Sequence, residues 1–455
     1  VGGGGGADDG ADGGVGGGGG ADGRAIDDGG RAALRSAAPI DAAPTEGKRG
    51  ASKLPPGMWK QVALLTGSQF IITAGFGVVV PVLPTFAAEL GMGAAGVGAI
   101  ISAPSFMRVL LNMKMGMLAD EKGRKPLMVL GTLASAAGGI GTAFAGGLLT
   151  LIPFRLLVGL GSAASMAGSS AYMADLTAKA IDHRAKLLGV QQAVIACSFI
   201  AGPAIGGWLA ELYDARTAFL VVGGAAAACS LGYSFLPETL VKRRPRREGE
   251  AKEKVERKKS WMQLLADKSQ QSVVSMQGVL ALGYSCQLAV VPLHAASVWG
   301  ATPGQLGLMY STASLMGLVA APLGGWASDK FGRKGVIAPA AILAAIAPLA
   351  LVFTETQAAF YGAMLCWSLG TSLMNPGLTA FAADIAPDSQ RGQALSLSRQ
   401  AGDIMFTAGP LGLGLLAQYA THGHAEALLL TSGATVAVTA AFVMRAKEPR
   451  RAQKA

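Results

Sequence analysis

The chain has 455 residues, of which 51% are apolar and only 15% are charged, against about 25% charged residues in an average soluble domain. This deficit of charge excludes an ordinary water-soluble fold and indicates surfaces that contact lipid. The formal net charge of +10 is one signature of nucleic-acid binding, but its distribution along the chain has another explanation, and we predict no nucleic-acid partner. The four cysteines lie in apolar stretches without paired spacing, so we predict no metal site and no cofactor.

The first 57 residues differ in composition from the rest of the chain. They are rich in Gly, Ala and Asp and carry almost no large apolar side chains before Leu54, so they cannot bury enough surface to offset chain entropy. We therefore predict a disordered N-terminal tail over residues 1–57. Its many Asp residues are atypical of a transit peptide, and its start at Val1 rather than Met is compatible with a fragment or a processed form.

Apolar stretches follow in series from about Gln61, each near the roughly 20 residues that cross about 30 Å of hydrocarbon. The pattern predicts an all-α polytopic membrane protein with twelve transmembrane helices, at 61–87, 96–118, 126–146, 149–173, 187–210, 217–236, 270–294, 304–327, 335–354, 357–383, 393–417 and 425–444. They form an N-terminal six-helix bundle over 58–237 and a C-terminal six-helix bundle over 269–445. A basic loop over 238–268 joins the bundles, and a basic tail over 446–455 follows them.

Lys and Arg cluster on alternate connections between the predicted helices. They follow the second, fourth, eighth and tenth helices and fill the central loop from Lys242 to Lys268. The remaining connections carry Glu89, Glu211, Asp214, Glu355 and Glu426, with Arg216 as their only Lys or Arg. By the positive-inside rule, this alternation predicts that both termini and the central loop are cytoplasmic, so the net positive charge is an orientation signal. The rule does not distinguish the plasma membrane from an organelle membrane.

The two predicted bundles share an internal repeat. A loop motif after the second helix recurs after the eighth at a constant offset of 209 residues, which also relates Asp175 to Asp384. After a shortening of two residues, Gly202-Pro203 matches Gly409-Pro410. The two copies of the loop motif comprise Gly116, Asp120, Gly123, Arg124 and Lys125, and Gly325, Asp329, Gly332, Arg333 and Lys334. Two six-helix copies in one orientation are typical of transporter halves related by an axis along the membrane normal.

This repeat and its loop motifs resemble the major facilitator superfamily, from about the first predicted helix to the twelfth. The resemblance implies the major facilitator fold and a secondary active transporter without catalytic residues, rather than an enzyme. In the family, the loop cluster holds the cytoplasmic side closed in the outward-open state, which assigns a conformational gate to the motif residues given above. Asp175 and Asp384, at the cytoplasmic ends of their helices, are expected to make gate or cap contacts.

The fourth predicted helix carries Arg155, followed by Gly159 and Gly161, in a pattern that resembles the family motif linked to proton coupling in antiporters. An Arg near the centre of a span costs about 2.5–3.5 kcal/mol on insertion scales, so its presence requires a reason. The alternative is that Arg155 extends to the outer membrane interface. Because the matching residue in the second half is Met364, we favour a functional role over an architectural one.

The fifth predicted helix contains Gly202-Pro203 and Gly206-Gly207, which resemble the antiporter signature of the family. Its glycines allow close helix approach and its proline can bend the helix, so a packing groove without mechanistic meaning explains the motif equally well. The eleventh helix repeats part of the motif at Gly409-Pro410. In the family, this signature favours exchange of substrate for protons over passive uniport.

Three further ionisable residues lie deep within predicted spans and are candidates for proton coupling. Arg108 is in the middle of the second helix, and Arg399 and Asp403 are four residues apart near the middle of the eleventh. Asp403 is the best candidate for a proton carrier, because intramembrane ionisable residues usually face a cavity. The i, i+4 spacing equally permits a permanent ion pair with Arg399 that fixes helix packing, and the sequence leaves both interpretations open.

The segment from Ala383 to Gly392 makes the chain most similar to multidrug and tetracycline-type proton antiporters. The resemblance implies proton-coupled efflux of a small organic solute by alternating access. The alternative is a uniporter or symporter of a metabolite such as a sugar or an organic anion. The expected partners are a small-molecule substrate, H⁺ and the lipid bilayer, with the protein acting as a monomer.

Overall fold

The computed structural model describes residues 57–240, 261–387 and 390–448. The predicted tail over 1–57, apart from its last residue, lies outside this part of the chain. Most of the predicted central loop and of the C-terminal tail also lie outside it. Within the described residues, the structure is helical and contains no strand.

Six helices form the first half of the molecule and seven helical segments form the second. The first half contains α1 (Met58–Glu89), α2 (Ala94–Lys122), α3 (Arg124–Ala143), α4 (Leu148–Lys179), α5 (Arg184–Leu212) and α6 (Ala215–Ser234). The second contains α7 (Lys268–Ala289), α8 (Val291–Trp299), α9 (Pro303–Phe331), α10 (Arg333–Val352), α11 (Gln357–Asp384), α12 (Arg391–Tyr419) and α13 (His424–Arg445). A short 3₁₀ helix (Ile181–His183) connects α4 to α5.

The seventh predicted span, 270–294, is broken rather than continuous. It consists of α7 and α8, which are bent by 42° where they meet at Val290. Pro292 provides the physical reason, because it has no N–H to donate and its ring clashes with the carbonyl of the preceding turn. The two segments together are long enough to cross a bilayer.

Nine of the described helices are long and apolar enough to span a membrane, and the α7–α8 pair brings the number to ten. The other two, α11 and α12, have 28 and 29 residues and are therefore long enough. They fall short in hydropathy because of polar side chains, among them Arg399 and Asp403 in α12. Such residues are tolerated within a membrane protein where they face a cavity or another helix. The predicted all-α polytopic fold is confirmed.

Short polar caps start several helices at the end of the molecule that carries the acidic connections, which we call the acidic end. Asp214 begins α6 by accepting a hydrogen bond from the Thr217 N–H at 2.6 Å. Thr302 begins α9 in a capping box with Gln305, whose N–H donates to the Thr302 hydroxyl at 3.3 Å. These caps satisfy N–H groups that the first turn of a helix leaves without partners. They let the chain reverse direction within a few residues.

The same helix pairs pack in both halves, as the repeat predicts. In the first half, α1 packs on α5, α2 on α4, and α3 on both α4 and α6. In the second half, α7 packs on α12, α9 on α11, and α10 on both α11 and α13. The two halves meet along two crossings, α2 with α12 and α5 with α9. These four helices therefore carry any movement of one half against the other.

The halves are in contact near the acidic end. A Cβ added at Gly98 of α2 would lie 2.9 Å from the Pro410 carbonyl carbon of α12. One added at Gly207 of α5 would lie 3.0 Å from Gly304 Cα of α9. The opposite end carries Gly123 and Gly332, and we call it the basic end. No atom lies within 4 Å of a Cβ added there at Gly116 of α2, Gly189 of α5 or Gly392 of α12. The molecule is therefore closed at the acidic end and open toward the basic end.

Candidate functional site

The first predicted gate motif folds into a compact ionic cluster at the basic end. Gly123 makes the turn between α2 and α3 with a φ of 111°, a backbone conformation that favours glycine. Arg124 then contacts two carboxylates, Asp120 at 3.0 Å and Asp175 of α4 at 3.1 Å. It also donates to the Ala119 carbonyl oxygen at 2.7 Å. One guanidinium thus ties together the end of α2, the start of α3 and the end of α4.

Glu238 completes this cluster from the segment after α6. Its carboxylate accepts hydrogen bonds from the backbone N–H groups of Arg124 and Lys125, both at 3.0 Å. These groups belong to the first turn of α3, where N–H groups lack helical partners and favour a negative charge. The adjacent Thr239 hydroxyl donates to Asp175 at 2.8 Å. Glu238 therefore caps the helix that begins with the gate motif.

The second half contains an equivalent cluster. Arg333 contacts Asp329 at 2.6 Å and Asp384 at 3.1 Å. The backbone N–H groups of Arg333 and Lys334 donate to Glu448 at 2.7 and 3.0 Å. Sequence reasoning did not find Glu448. Its signal was its position 210 residues after Glu238, which matches neither repeat offset, 209 or 207, and its neighbours are Lys447 and Pro449 in place of Pro237 and Thr239.

Each cluster joins helices of a single half. Asp175 and Asp384 occupy matching places in them, as their shared offset predicts. The two motif glycines that precede the clusters are not closely packed. A Cβ added at Gly116 meets nothing within 4 Å, and the nearest atom to one at Gly325 is Pro376 Cβ at 3.9 Å. The gate role of these ten residues stays a prediction, and the conformation described here is open at their end.

The Glu238 contacts predict a pH-dependent stability. Burial tends to raise the pKa of Glu238, but the backbone N–H groups of Leu240, Arg124, Lys125 and Thr239 outweigh it and hold the pKa below its usual range. A carboxyl with a lowered folded-state pKa stabilises the protein above its unfolded pKa of about 4.3 and loses that effect as the pH falls through the folded-state value. We expect Glu238→Gln to lower the Tm at neutral pH and to flatten its fall in acid.

This effect is measured by thermal unfolding of the detergent-solubilised protein at several pH values. A range from about pH 3 to about pH 7 includes the unfolded-state pKa of about 4.3. Glu89→Gln is the matched control, because Glu89 is exposed at the end of α1 on the acidic side. If both variants showed the same Tm at every pH, the capping role of Glu238 would be wrong.

A cavity lies between the halves, beyond the basic-end clusters and next to the closed acidic end. Residues of α1, α2, α4, α7 and α12 line it, so both halves contribute. Its wall is mostly apolar and includes Phe76, Leu83, Ile101, Leu288 and Phe406. Three polar side chains interrupt this wall, Ser105, Arg108 and Arg155. An apolar pocket with a few converging polar groups is typical of a small-molecule site.

Arg155 lies in the interior of the protein and lines this cavity. Only 6% of its surface is exposed, and its Nε donates to the Ile100 carbonyl oxygen of α2 at 3.3 Å. Arg108 also lines the cavity, and one of its terminal nitrogens donates to the Ser105 hydroxyl at 2.9 Å. The two arginines interact electrostatically although α2 and α4 carry them separately. Arg155 therefore does not extend to the outer membrane interface, the alternative considered for it.

Asp403 lies on α12, across the interface from Arg108. It interacts electrostatically with Arg108 of the first half and with Arg399 of its own helix. Among the described residues, Asp403 forms no ion pair at contact distance with either arginine, and the Arg399 side chain is exposed. In this conformation, the pair that the i, i+4 spacing permits is not made. Three of the four predicted coupling residues, Arg155, Arg108 and Asp403, thus form a chain of charges across the two halves.

The glycines of the antiporter signature pack α5 against two neighbours. A Cβ added at Gly202 would lie 2.5 Å from the Ala74 carbonyl oxygen, and one at Gly206 would lie 2.6 Å from Val78 Cα, both in α1. Gly207 instead faces α9 across the interface. In α12, Gly409 packs on Ser285 of α7, with a Cβ-to-Oγ distance of 2.6 Å. The signature therefore fixes helix spacing within each half and, at Gly207, between the halves.

Polar contacts reinforce the closed acidic end. Gln418 of α12 accepts a hydrogen bond from the Ala95 N–H of α2 at 2.9 Å, and Ser102 of α2 accepts one from the Leu411 N–H at 3.2 Å. Glu211 of α5 lies against Gly304 at the start of α9. Glu211 and Gln418 are related by the offset of 207 residues that also relates Gly202 to Gly409. Both halves thus place a polar side chain at the first turn of a helix in the other half.

Comparison with known proteins agrees with this architecture. Residues 65–275 and 273–455 match the family model described as Major Facilitator Superfamily. Multidrug resistance protein 1 of Bacillus subtilis (strain 168) is 27% identical over 364 residues, which are 78% of this chain and 89% of that protein. Quinolone resistance protein NorA of Staphylococcus aureus is 30% identical over 155 residues, which are 34% of this chain and 39% of that protein.

Solved structures show the same fold. The nucleoside transporter NupG aligns with a TM-score of 0.72 at 14% identity, covering 84% of this chain and 98% of that one. A bacterial homologue of the human lysosomal transporter Spinster, in an inward-facing and occupied conformation, aligns with a TM-score of 0.69 at 14% identity, covering 86% and 96%. At these identities the likeness concerns the fold alone. With the matched family model and the paired halves, the chain belongs to the Major Facilitator Superfamily and is a multi-pass membrane transporter of small molecules rather than an enzyme.

Proposed function

We propose that this protein is a proton-coupled exporter, which moves a small organic compound out of the cytoplasm in exchange for protons. The observation that carries the proposal is Asp403, a partly buried carboxylate of α12 that interacts electrostatically with Arg108 of the other half. A carboxylate in this position can bind or release a proton, and either change alters the attraction between the halves. Proton binding and the movement of the halves are therefore coupled.

Alternating access follows from the same geometry. With the basic connections in the cytoplasm, as the positive-inside rule predicts, the cavity beside Arg155 is open to the cytoplasm and closed on the other side. A substrate that competes with a proton for Asp403 leaves the carboxylate ionised while it is bound. After the halves rock, a proton from the outer side displaces the substrate. The coupling is reciprocal, because a proton that weakens substrate binding is itself bound more weakly when substrate is present.

The relatives support the direction of transport. Multidrug resistance protein 1 and quinolone resistance protein NorA are both named for resistance to drugs, an effect that export from the cell produces. The large exposed apolar side chains support immersion in a bilayer, among them Leu149 at 88% and Phe144 at 71%.

Reconstitution into vesicles tests the proposal. With a pH-sensitive dye inside and an amphipathic organic compound added outside, inward movement of the compound is expected to drive protons outward. A protonophore should abolish the pH change without stopping downhill movement of the compound. Transport indifferent to the pH gradient would reject proton coupling. Protons that move in the same direction as the compound would instead establish symport.

A further inference from the structure

Positively charged side chains outnumber negatively charged ones in and around the cavity. Three arginines, Arg108, Arg155 and Arg399, lie deep within the described spans. Among the described residues, Asp403 is the one carboxylate at a comparable depth. We infer that the substrate is an amphipathic zwitterion, with an acidic group held between Arg108 and Arg155 and an amine directed toward Asp403. The inference rests on the proposed exchange of substrate for protons and names the class of compound that this site would take.

The acidic group follows from the unused hydrogen-bonding capacity of the two arginines. A guanidinium has five N–H donors, whereas among the described residues Arg155 makes one hydrogen bond, to Ile100, and Arg108 makes one, to Ser105. Arg155 is also 94% buried, since 6% of its surface is exposed. A buried cation without an anion is costly, and the neighbouring Arg108 adds repulsion. A carboxylate in the cavity would relieve both, because its oxygens match the planar fork of a guanidinium.

The amine follows from the requirement for exchange. A substrate and a proton exchange for one another only if binding of one weakens binding of the other. A purely anionic substrate does the opposite, because it competes with Asp403 for Arg108 and so makes Asp403 a better proton acceptor. A purely cationic substrate would compete for Asp403 but would be repelled by Arg108 and Arg155. A compound with both groups satisfies the arginines and still competes with the proton.

The shape of the wall adds the apolar body of the substrate. Phe76 and Phe406 line the cavity from opposite halves, and Leu83, Ile101 and Leu288 complete the apolar surface between them. A compact aromatic or alicyclic core would bury itself there, which contributes about 25 cal/mol for each Å² removed from water.

Binding to the purified protein tests the inference without depending on transport. The probes are an aromatic amino acid, its methyl ester and its N-acetyl derivative. The ester lacks the free acid, and the N-acetyl derivative lacks the free amine. We expect the zwitterion to bind at least about tenfold more tightly than the ester. Loss of one charge-assisted hydrogen bond costs about 1.4 kcal/mol or more, which corresponds to a tenfold change in Kd. Arg155→Gln and Arg108→Gln are each expected to reduce that ratio toward one. Asp403→Asn should remove the pH dependence of zwitterion binding.

Arg216→Gln is the matched control, because Arg216 lies outside the cavity with its guanidinium 5.9 Å from the Phe86 ring centroid. It should leave the ratio between zwitterion and ester unchanged. An ester that bound wild-type protein as tightly as the zwitterion would overturn the inference without any variant, even if vesicles still exchanged other compounds for protons. A zwitterion preference that survived both arginine substitutions would overturn the assigned site. Loss of proton exchange with the preference intact would instead reject the proposed function alone.

Discussion

Replacement of Asp403 by Asn is expected to abolish proton-driven accumulation, while downhill exchange of the substrate persists at a reduced affinity. The amide has nearly the same shape as the carboxyl but cannot bind or release a proton at physiological pH. One proton exchanged across a gradient of one pH unit supplies about 1.4 kcal/mol, which sustains about a tenfold gradient of substrate. Without the titrating group, the accumulation ratio at the same pH gradient should fall to about one.

The measurement uses inverted membrane vesicles, in which the basic end of the proposed orientation faces the bath. Wild-type vesicles should accumulate a radiolabelled substrate when their interior is acidified, and Asp403→Asn vesicles should only equilibrate it. Counterflow, in which unlabelled substrate inside drives entry of labelled substrate, should persist in the variant at a raised substrate concentration, because the amide resembles the protonated carboxyl and binds the substrate more weakly. This second assay separates loss of proton coupling from loss of folding or of binding.

Asp403→Glu is the matched control, because it keeps a titratable carboxyl on the same face of α12. It should keep accumulation above one, although its longer side chain alters the distance to Arg108. If Asp403→Asn vesicles accumulated substrate as strongly as wild type, the proton would have to bind elsewhere. A role of this residue in helix packing would then be the better account.

The fold could be predicted from the sequence because a bilayer dictates the length and composition of the helices that cross it. The repeat at an offset of 209 residues then predicted two halves of the same architecture, and the same pairs of helices do pack in both. Two features departed from the simple pattern for identifiable reasons. Pro292 breaks the seventh span at Val290, and α12 is too polar to be recognised by hydropathy because it carries Arg399 and Asp403.

The site was harder to predict, because the direction in which a helix side chain points is set by packing and not by hydropathy. The sequence singled out Arg108, Arg155 and Asp403 separately, each as a polar residue within an apolar stretch. Only the structure shows that Arg108 and Arg155 line one cavity and that Asp403 interacts with Arg108 from the other half. Glu448 could not be predicted, because its offset of 210 residues from Glu238 matches neither repeat offset and its two neighbours differ from those of Glu238.

A second large effect is expected from Gly414→Ala, which should shift the protein away from the conformation that is closed at the acidic end. A Cβ at Gly414 would clash with the Ala94 carbonyl oxygen of α2 and would lie 3.2 Å from Gly98 Cα. Both neighbours are backbone atoms, so they cannot move aside as a flexible side chain can, and α2 and α12 must separate. Overpacking of this kind costs about 1–3 kcal/mol, which corresponds to a shift of about 5- to 150-fold in the equilibrium between the two conformations.

Gly412→Ala is a closely matched control, because Gly412 lies on the same helix and a Cβ there meets nothing within 4 Å. Both substitutions replace Gly by Ala within α12, so their effects on helix propensity cancel in the comparison. Ser102→Cys serves as the reporter, since Ser102 is buried beneath Leu411 where the halves meet. The reporter chain also carries Cys197→Ser and Cys366→Ser, which remove the two exposed thiols.

A membrane-impermeant maleimide applied from the acidic end should label the reporter slowly in the otherwise unchanged chain. Labelling should be faster by a factor within the range given above in Gly414→Ala and unchanged in Gly412→Ala. Substrate transport should fall in Gly414→Ala, because the acidic end can no longer close fully while the basic end is open to receive the substrate. Equal labelling of the two variants would mean that the contact between α2 and α12 does not close this end, and the assignment of Gly98, Ser102 and Gln418 to that closure would fail with it.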